Sequence, residues 1–152
     1  MYPSSLDLAA TLKNIMGNPA YKPYCEELLK KGNLKATRGK KETTDHPPIY
    51  PTASATPDDL APAEYKLYNL IARRFMATLS DAAVVEGTKV TLDVQGEPFV
   101  AKGDVLVNPG FRAIYPYGLK KDEQLPSLSE GQEVVFGGAT CTKKQTEPPA
   151  RY

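Results

Sequence analysis

The chain reads as an α+β protein with its helices first and its strands last. Three observations predict this. Apolar residues recur at helical spacing up to about residue 80, they alternate with period two from about residue 90, and a proline-rich stretch without periodicity interrupts the helical part. With 152 residues, 41% of them hydrophobic, the chain can bury a core as one domain or as two small ones.

The first helix is expected over about 5 to 16. Pro3-Ser4-Ser5 offers an N-cap, Leu6, Ala9, Ala10, Leu12, Ile15 and Met16 follow at helical spacing, and Gly17-Asn18-Pro19 closes the run. A short second helix is built on Tyr21, Tyr24, Cys25, Leu28 and Leu29. Lys30 and Lys31 suit its negative end, and Gly32 stops it. From Gly32 to Pro62 periodicity vanishes while Pro47, Pro48, Pro51, Pro57 and Pro62 keep returning, which predicts a long, stiff, extended loop. Pro62 then fits the first turn of a third helix, whose apolar stripe is expected to be Leu67, Ile71, Phe75 and Leu79, with Tyr68, Leu70 and Met76 beside them. On its polar side Arg73 and Arg74 read as surface residues before nucleic-acid contacts.

After Asp81 the pattern changes. Val90, Leu92 and Val94 share one face of a strand, Thr91 and Asp93 the other, and Gln95-Gly96 makes the turn of a hairpin. Glu97 to Lys102, Val105 to Val107, Phe111 to Tyr115 and Glu133 to Phe136 are further strand candidates. Five short strands at this spacing suggest a small antiparallel barrel or sandwich, with the helical and β parts meeting near 80 to 85. There is no internal repeat and no low-complexity tract.

Composition excludes several classes. No run approaches the roughly 18 apolar residues of a membrane span, and the N-terminus lacks a signal-peptide pattern, so no membrane partner is expected. Cys25 and Cys141 lie far apart without metal or redox spacing, which reads as reduced thiols and fits a cytoplasmic protein. Net charge is +1, but residues 1 to 41 carry eight Lys/Arg against three acids while the remainder carries eleven against fifteen. Lys30, Lys31, Lys35, Arg38, Lys40 and Lys41 crowd into twelve residues without an acid, which is either a phosphate-contacting patch or a solvated loop.

Little else carries chemistry. His46 is the sole histidine, so a triad or a histidine metal site would have to be built around it, and nothing has the spacing for either. Asp58-Asp59 reads as the first turn of a helix before a metal dyad, and Gly137-Gly138 lacks the Lys-Ser/Thr of a phosphate loop. No complete catalytic set is visible.

One stretch is specific beyond its composition. Residues 35 to 52, Lys-Ala-Thr-Arg-Gly-Lys-Lys-Glu-Thr-Thr-Asp-His-Pro-Pro-Ile-Tyr-Pro-Thr, resemble the segment of archaeal-type type IA DNA topoisomerases that carries their active-site histidine. Tyr2-Pro3-Ser4-Ser5-Leu6-Asp7-Leu8, the run from Leu67 to Phe75, Gly110-Phe111-Arg112-Ala113-Ile114-Tyr115-Pro116 and Pro148-Pro149-Ala150-Arg151-Tyr152 reinforce the match in the family's order, over essentially the whole chain.

The resemblance implies a reaction in which a tyrosine attacks a DNA phosphodiester, holds the broken end covalently while another strand passes, and reseals it without ATP. That tyrosine belongs to a Tyr-Pro-Arg-Thr motif. Tyr2-Pro3 continues with Ser4-Ser5, so Tyr2 is not assigned the role and the chain looks like an excised central piece, inactive alone. His46 is then expected to steady a phosphate beside the scissile one. Lys35, Arg38, Lys40, Lys41, Thr44, Thr52 and Arg151 are the expected DNA contacts, and single-stranded DNA and the enzyme's remaining domains the expected partners. No cofactor is expected in this piece, with magnesium in the full-length enzyme. The implied architecture is a helical gate domain over 1–82 with the basic, proline-rich loop 32–62, a β arch over 83–147, and a return to the core domain over 148–152. A stand-alone single-stranded nucleic-acid-binding module, a bare hinge without DNA affinity, and a region of a reverse gyrase are the alternatives.

Overall fold

In a computed structural model of the chain, which describes residues 2–39, 46, 48–118 and 121–148, three helices are followed by a β-hairpin and a short 3-10 turn. The order is α1 (Leu8–Ile15), α2 (Lys22–Lys30), α3 (Pro62–Thr78), β1 (Val84–Val94) and β2 (Glu97–Asn108), with the 3-10 turn at Gly110–Ala113.

Helix α1 starts later than its serines suggest. Leu6 N donates to Pro3 O at 3.0 Å, which spends Ser4 and Ser5 in a turn, and the Asp7 carboxylate caps the helix by accepting from Ala10 N at 2.9 Å. Between α1 and α2 the buried Asn18 acts as a three-way tie. Its Nδ2 donates to Ala55 O at 2.7 Å and lies 3.1 Å from the Tyr65 hydroxyl, and its Oδ1 accepts from Ala20 N at 2.9 Å. Helix α2 carries Pro23 in its first turn, and α3 begins at Pro62, where Glu64 Oε2 accepts from the otherwise orphaned Ala61 N at 3.0 Å.

The buried face of α3 keeps Phe75 and Leu79 of the stripe expected from four-residue spacing but not Leu67. Steps of four drift by about 40° each around a helix of 3.6 residues per turn, so a run from Leu67 to Leu79 cannot stay on one face. Leu67 is 60% exposed, and the inward line is Tyr68, Ala72, Phe75, Met76 and Leu79. These residues close on Leu12 and Ile15 of α1 and Tyr21, Cys25 and Leu28 of α2, with Ile114 arriving from beyond the hairpin. Cys25 Sγ lies 3.6 Å from Met76 Sδ, and burial pushes its thiol up from 9.0 to about 12. Asp58-Asp59 is not a first helical turn. Asp59 closes its own turn by accepting from the Thr56 N and Oγ1 at 2.7 Å, three residues before α3 opens.

The expected hairpin forms around Gln95-Gly96. Both residues have positive φ, 55° and 88°, which is the geometry whose twist matches the flanking strands, and Asp93 Oδ1 accepts from Gly96 N at 2.7 Å. Pairing runs antiparallel from Val94↔Glu97 to Val84↔Asn108 with an irregularity at Val84/Val85. Val90, Leu92 and Val94 are half-buried while Thr91 and Asp93 are exposed, as period two requires.

Of the other strand candidates, two are strand residues and two are not. Glu97–Lys102 and Val105–Val107 are one strand, because Gly103 does not break it. A side chain at Gly103 would meet Glu123 O at 2.3 Å, so this glycine lets the strap 121–125 cross the hairpin, where Glu123 N donates to Asp104 O at 3.1 Å. Residues 111 to 115 curl into the 3-10 turn and bury Ile114 instead. Residues 133 to 136 have no ladder partner and form no strand; Val135 is fully exposed. The described β part is therefore a two-stranded ribbon, not a five-stranded barrel.

Candidate nucleic-acid interface

The end of α3, the basic loop and the segment after the hairpin converge on one cleft. Its volume is about 470 Å³, and it is lined by Tyr2, Ala36, Thr37, Arg38, Gly39, His46, Pro48, Ile49, Leu70, Ile71, Arg74, Thr78 and Tyr115. Each wall has a local cause.

The basic loop is pinned by the helix it passes. Thr37 donates to Thr78 O through both its backbone N, at 2.7 Å, and its Oγ1, at 3.1 Å. That carbonyl belongs to the last turn of α3, which has no partner within the helix, so the loop supplies the cap. Arg38 and Gly39 follow directly and are carried to the cleft mouth.

The far side of the loop is held by rings. Tyr2 meets Phe75 edge-on at 5.5 Å and Tyr50 at 6.1 Å, Pro51 is buried, and Asn14 Nδ2 donates to Thr52 O at 2.9 Å. These ties present Pro48 and Ile49 to the cleft, Ile49 with 74% of its surface exposed. Burial raises the Tyr2 hydroxyl pKa above its ordinary 10.0, which disfavours the phenolate a nucleophile would need.

The third wall comes from 41 residues further along. Arg73 Nε donates to Asn69 Oδ1 and its Nη1 to Ile114 O, both at 2.9 Å, while Asn69 Nδ2 donates to the Tyr117 hydroxyl at 3.1 Å and its Oδ1 accepts from the Tyr21 hydroxyl at 3.0 Å. This network fastens residues 114–117 along α3. Tyr115 is thereby brought under Arg74, whose guanidinium lies 5.2 Å from the ring centroid, and Tyr117 packs edge-on at 4.9 Å.

Of the residues singled out from sequence, the structure brings Arg38 and His46 to the same cleft. Lys35 is exposed and outside the lining, and Thr52 faces α1 through its backbone. Lys40, Lys41, Thr44 and Arg151 lie outside the described residues. In the sequence Arg74 reads as a surface residue and Tyr115 carries no role. The usable signal was that both sit inside the motifs that carried the resemblance. Two guanidiniums and an imidazole share the lining, and no Asp or Glu is among the described residues there, so the cleft is built for an anion. No three His, Cys, Asp or Glu side chains gather into a metal site among the described residues. No helix is long and apolar enough to cross a membrane.

Comparison with known proteins agrees over the full length. The family model described as DNA topoisomerase matches residues 1–152. DNA topoisomerase 1 of Archaeoglobus fulgidus is 36% identical over 152 residues, covering 100% of this chain and 23% of that protein. DNA topoisomerase 1 of Pyrococcus furiosus is 38% identical over 152 residues, covering 99% and 14%. DNA topoisomerase 3 of Bacillus subtilis is 36% identical over 161 residues, covering 97% and 22%. The chain thus spans less than a quarter of the length of these relatives.

Proposed function

We propose, since this chain belongs to the type IA DNA topoisomerase family, that it supplies the part of such an enzyme that grips single-stranded DNA beside the point of cleavage. The carrying observation is the cleft that joins Arg38, His46 and Arg74, with no acid among the described residues of its lining. Arg38 would meet non-bridging phosphate oxygens as a permanent cation while Arg74 adds its charge to the cleft, giving affinity without sequence preference. His46 would donate to the phosphate next to the scissile one and gain charge as the anion approaches.

In the whole enzyme the reaction would be transesterification. A tyrosine hydroxyl attacks phosphorus, a phosphotyrosine bond replaces one P–O bond of the backbone, and the DNA hydroxyl that leaves later reverses the step, so no ATP is consumed. The nucleophile would come from outside the residues described here, since Tyr2-Pro3 continues with Ser4-Ser5 and not with the Arg-Thr of the family's motif. By itself the chain would bind a strand without cutting it. Around the cleft, the hairpin and its strap would form part of the arch, docking against other domains of the same protein.

The test is the His46→Ala variant of an intact enzyme carrying this chain. Loss of one charge-assisted contact, roughly 1.5–3 kcal/mol, should slow strand cleavage about tenfold to a hundredfold with an unchanged circular dichroism spectrum. Unaltered cleavage would remove His46 from the site.

A further inference from the structure

The cleft is larger and more apolar than a phosphate requires. A phosphate is a single tetrahedral centre that needs donors and little room, whereas about 470 Å³ lies within the range of roughly 300–1,000 Å³ typical of sites for whole organic ligands. Ile49, Leu70 and Ile71 contribute hydrocarbon to the lining, and Ile49 and Leu70 keep much of theirs in contact with solvent. An anion alone gains nothing from that surface. Next to it stands the Arg74–Tyr115 pair, a guanidinium and an aromatic ring held 5.2 Å apart, and both are flat groups on which nucleobases stack.

From this juxtaposition we infer that the cleft is a nucleobase pocket. One base of the strand turns in against Arg74 and Tyr115 while its own phosphate stays at the mouth with Arg38 and His46. The inference rests on the DNA reading above and adds the group that enters. The placement of Tyr115 explains the investment in the Arg73–Asn69 network: Arg73 Nη1 holds Ile114 O and Asn69 holds the Tyr117 hydroxyl, one on each side of the ring that forms the wall. Without those two ties the ring would be free to turn, so Arg73 is a positioning residue for the pocket. Stacking is tolerant of base identity, which suits a protein that must act on many sequences.

Fluorescence titration of the 152-residue chain at low salt decides it, using two labelled strands of equal phosphate count, an octathymidylate and an octamer of abasic tetrahydrofuran residues. The wild type should bind octathymidylate roughly tenfold more tightly, a modest share of what base–aromatic stacking contributes. Tyr115→Ala should erase most of that preference while keeping abasic affinity within about twofold, and Tyr115→Phe should retain it. Equal binding of both strands by the wild type would overturn the base pocket and leave the phosphate reading standing. Equal loss for both strands in Tyr115→Ala would overturn the role given to Tyr115. No binding of either strand would overturn both readings.

Discussion

The helical head and the β-hairpin are built on opposite economies of contact. In the head, three helices of 8, 9 and 17 residues share one cluster in which Leu12, Ile15, Tyr21, Cys25, Phe75 and Met76 are fully buried. The hairpin strands, 11 and 12 residues long, are mostly exposed on both faces, and Val84, Val85, Val100 and Val107 stand in solvent. The difference teaches where each part draws its order. The head rests on tertiary burial, whereas the ribbon rests on its ladder, its turn and the crossing strap, and a lone two-stranded ribbon is marginal in water. The ribbon leaves valines uncovered, while the head's shared core fixes the helix that lines the cleft.

That contrast can be broken by mutation. Phe75→Ala should cost the head about 3–5 kcal/mol in chemical denaturation, because a large buried ring leaves a cavity among three helices. A loss below 1 kcal/mol would mean the head is as loosely built as the ribbon. Asn18→Ala should cost about 1–3 kcal/mol, since Ala20 N and Ala55 O each lose a partner in a largely closed site. In the ribbon, Gly96→Val should cost about 1–2 kcal/mol locally, seen as faster amide exchange across β1 and β2, because φ is +88° there and β-branched residues avoid that region. Val107→Lys should change stability by less than about 0.5 kcal/mol, a result that would fail if this exposed residue were packed.

The two cysteines report the same contrast without mutation. Cys25 is buried with its thiol raised to about 12, so at pH 8 it should resist alkylation in the native state, while exposed Cys141 reacts at once. Because the folded pKa of Cys25 lies above its ordinary 9.0, its neutral form is favoured by folding. The associated stability is complete below pH 9 and is lost as pH rises toward about 12. Denaturation midpoints followed from pH 8 to 11 in wild type and Cys25→Ala would reveal the difference in slope.

Local chemistry made much of this molecule legible in the sequence. Pro62 opening α3, Gly32 following α2, and Gln95-Gly96 turning the hairpin all act through neighbouring residues, and all appear where expected. Gly103 misled because its role depends on a strap 20 residues away, and residues 111 to 115 misled because a β-like pattern was outweighed by one buried contact at Ile114. The family was readable in short motifs, and with it the weight placed on His46 and Arg38. What only the tertiary structure decided is the company those two keep. Thr37 reaches Thr78 and Arg74 reaches Tyr115 across about 40 residues of chain, contacts set by how α3 packs against its neighbours and not by any local preference. A pattern of residue types determines which side chains are available to a phosphate; packing alone determines that two arginines, a histidine and a tyrosine share a cleft large enough for a base.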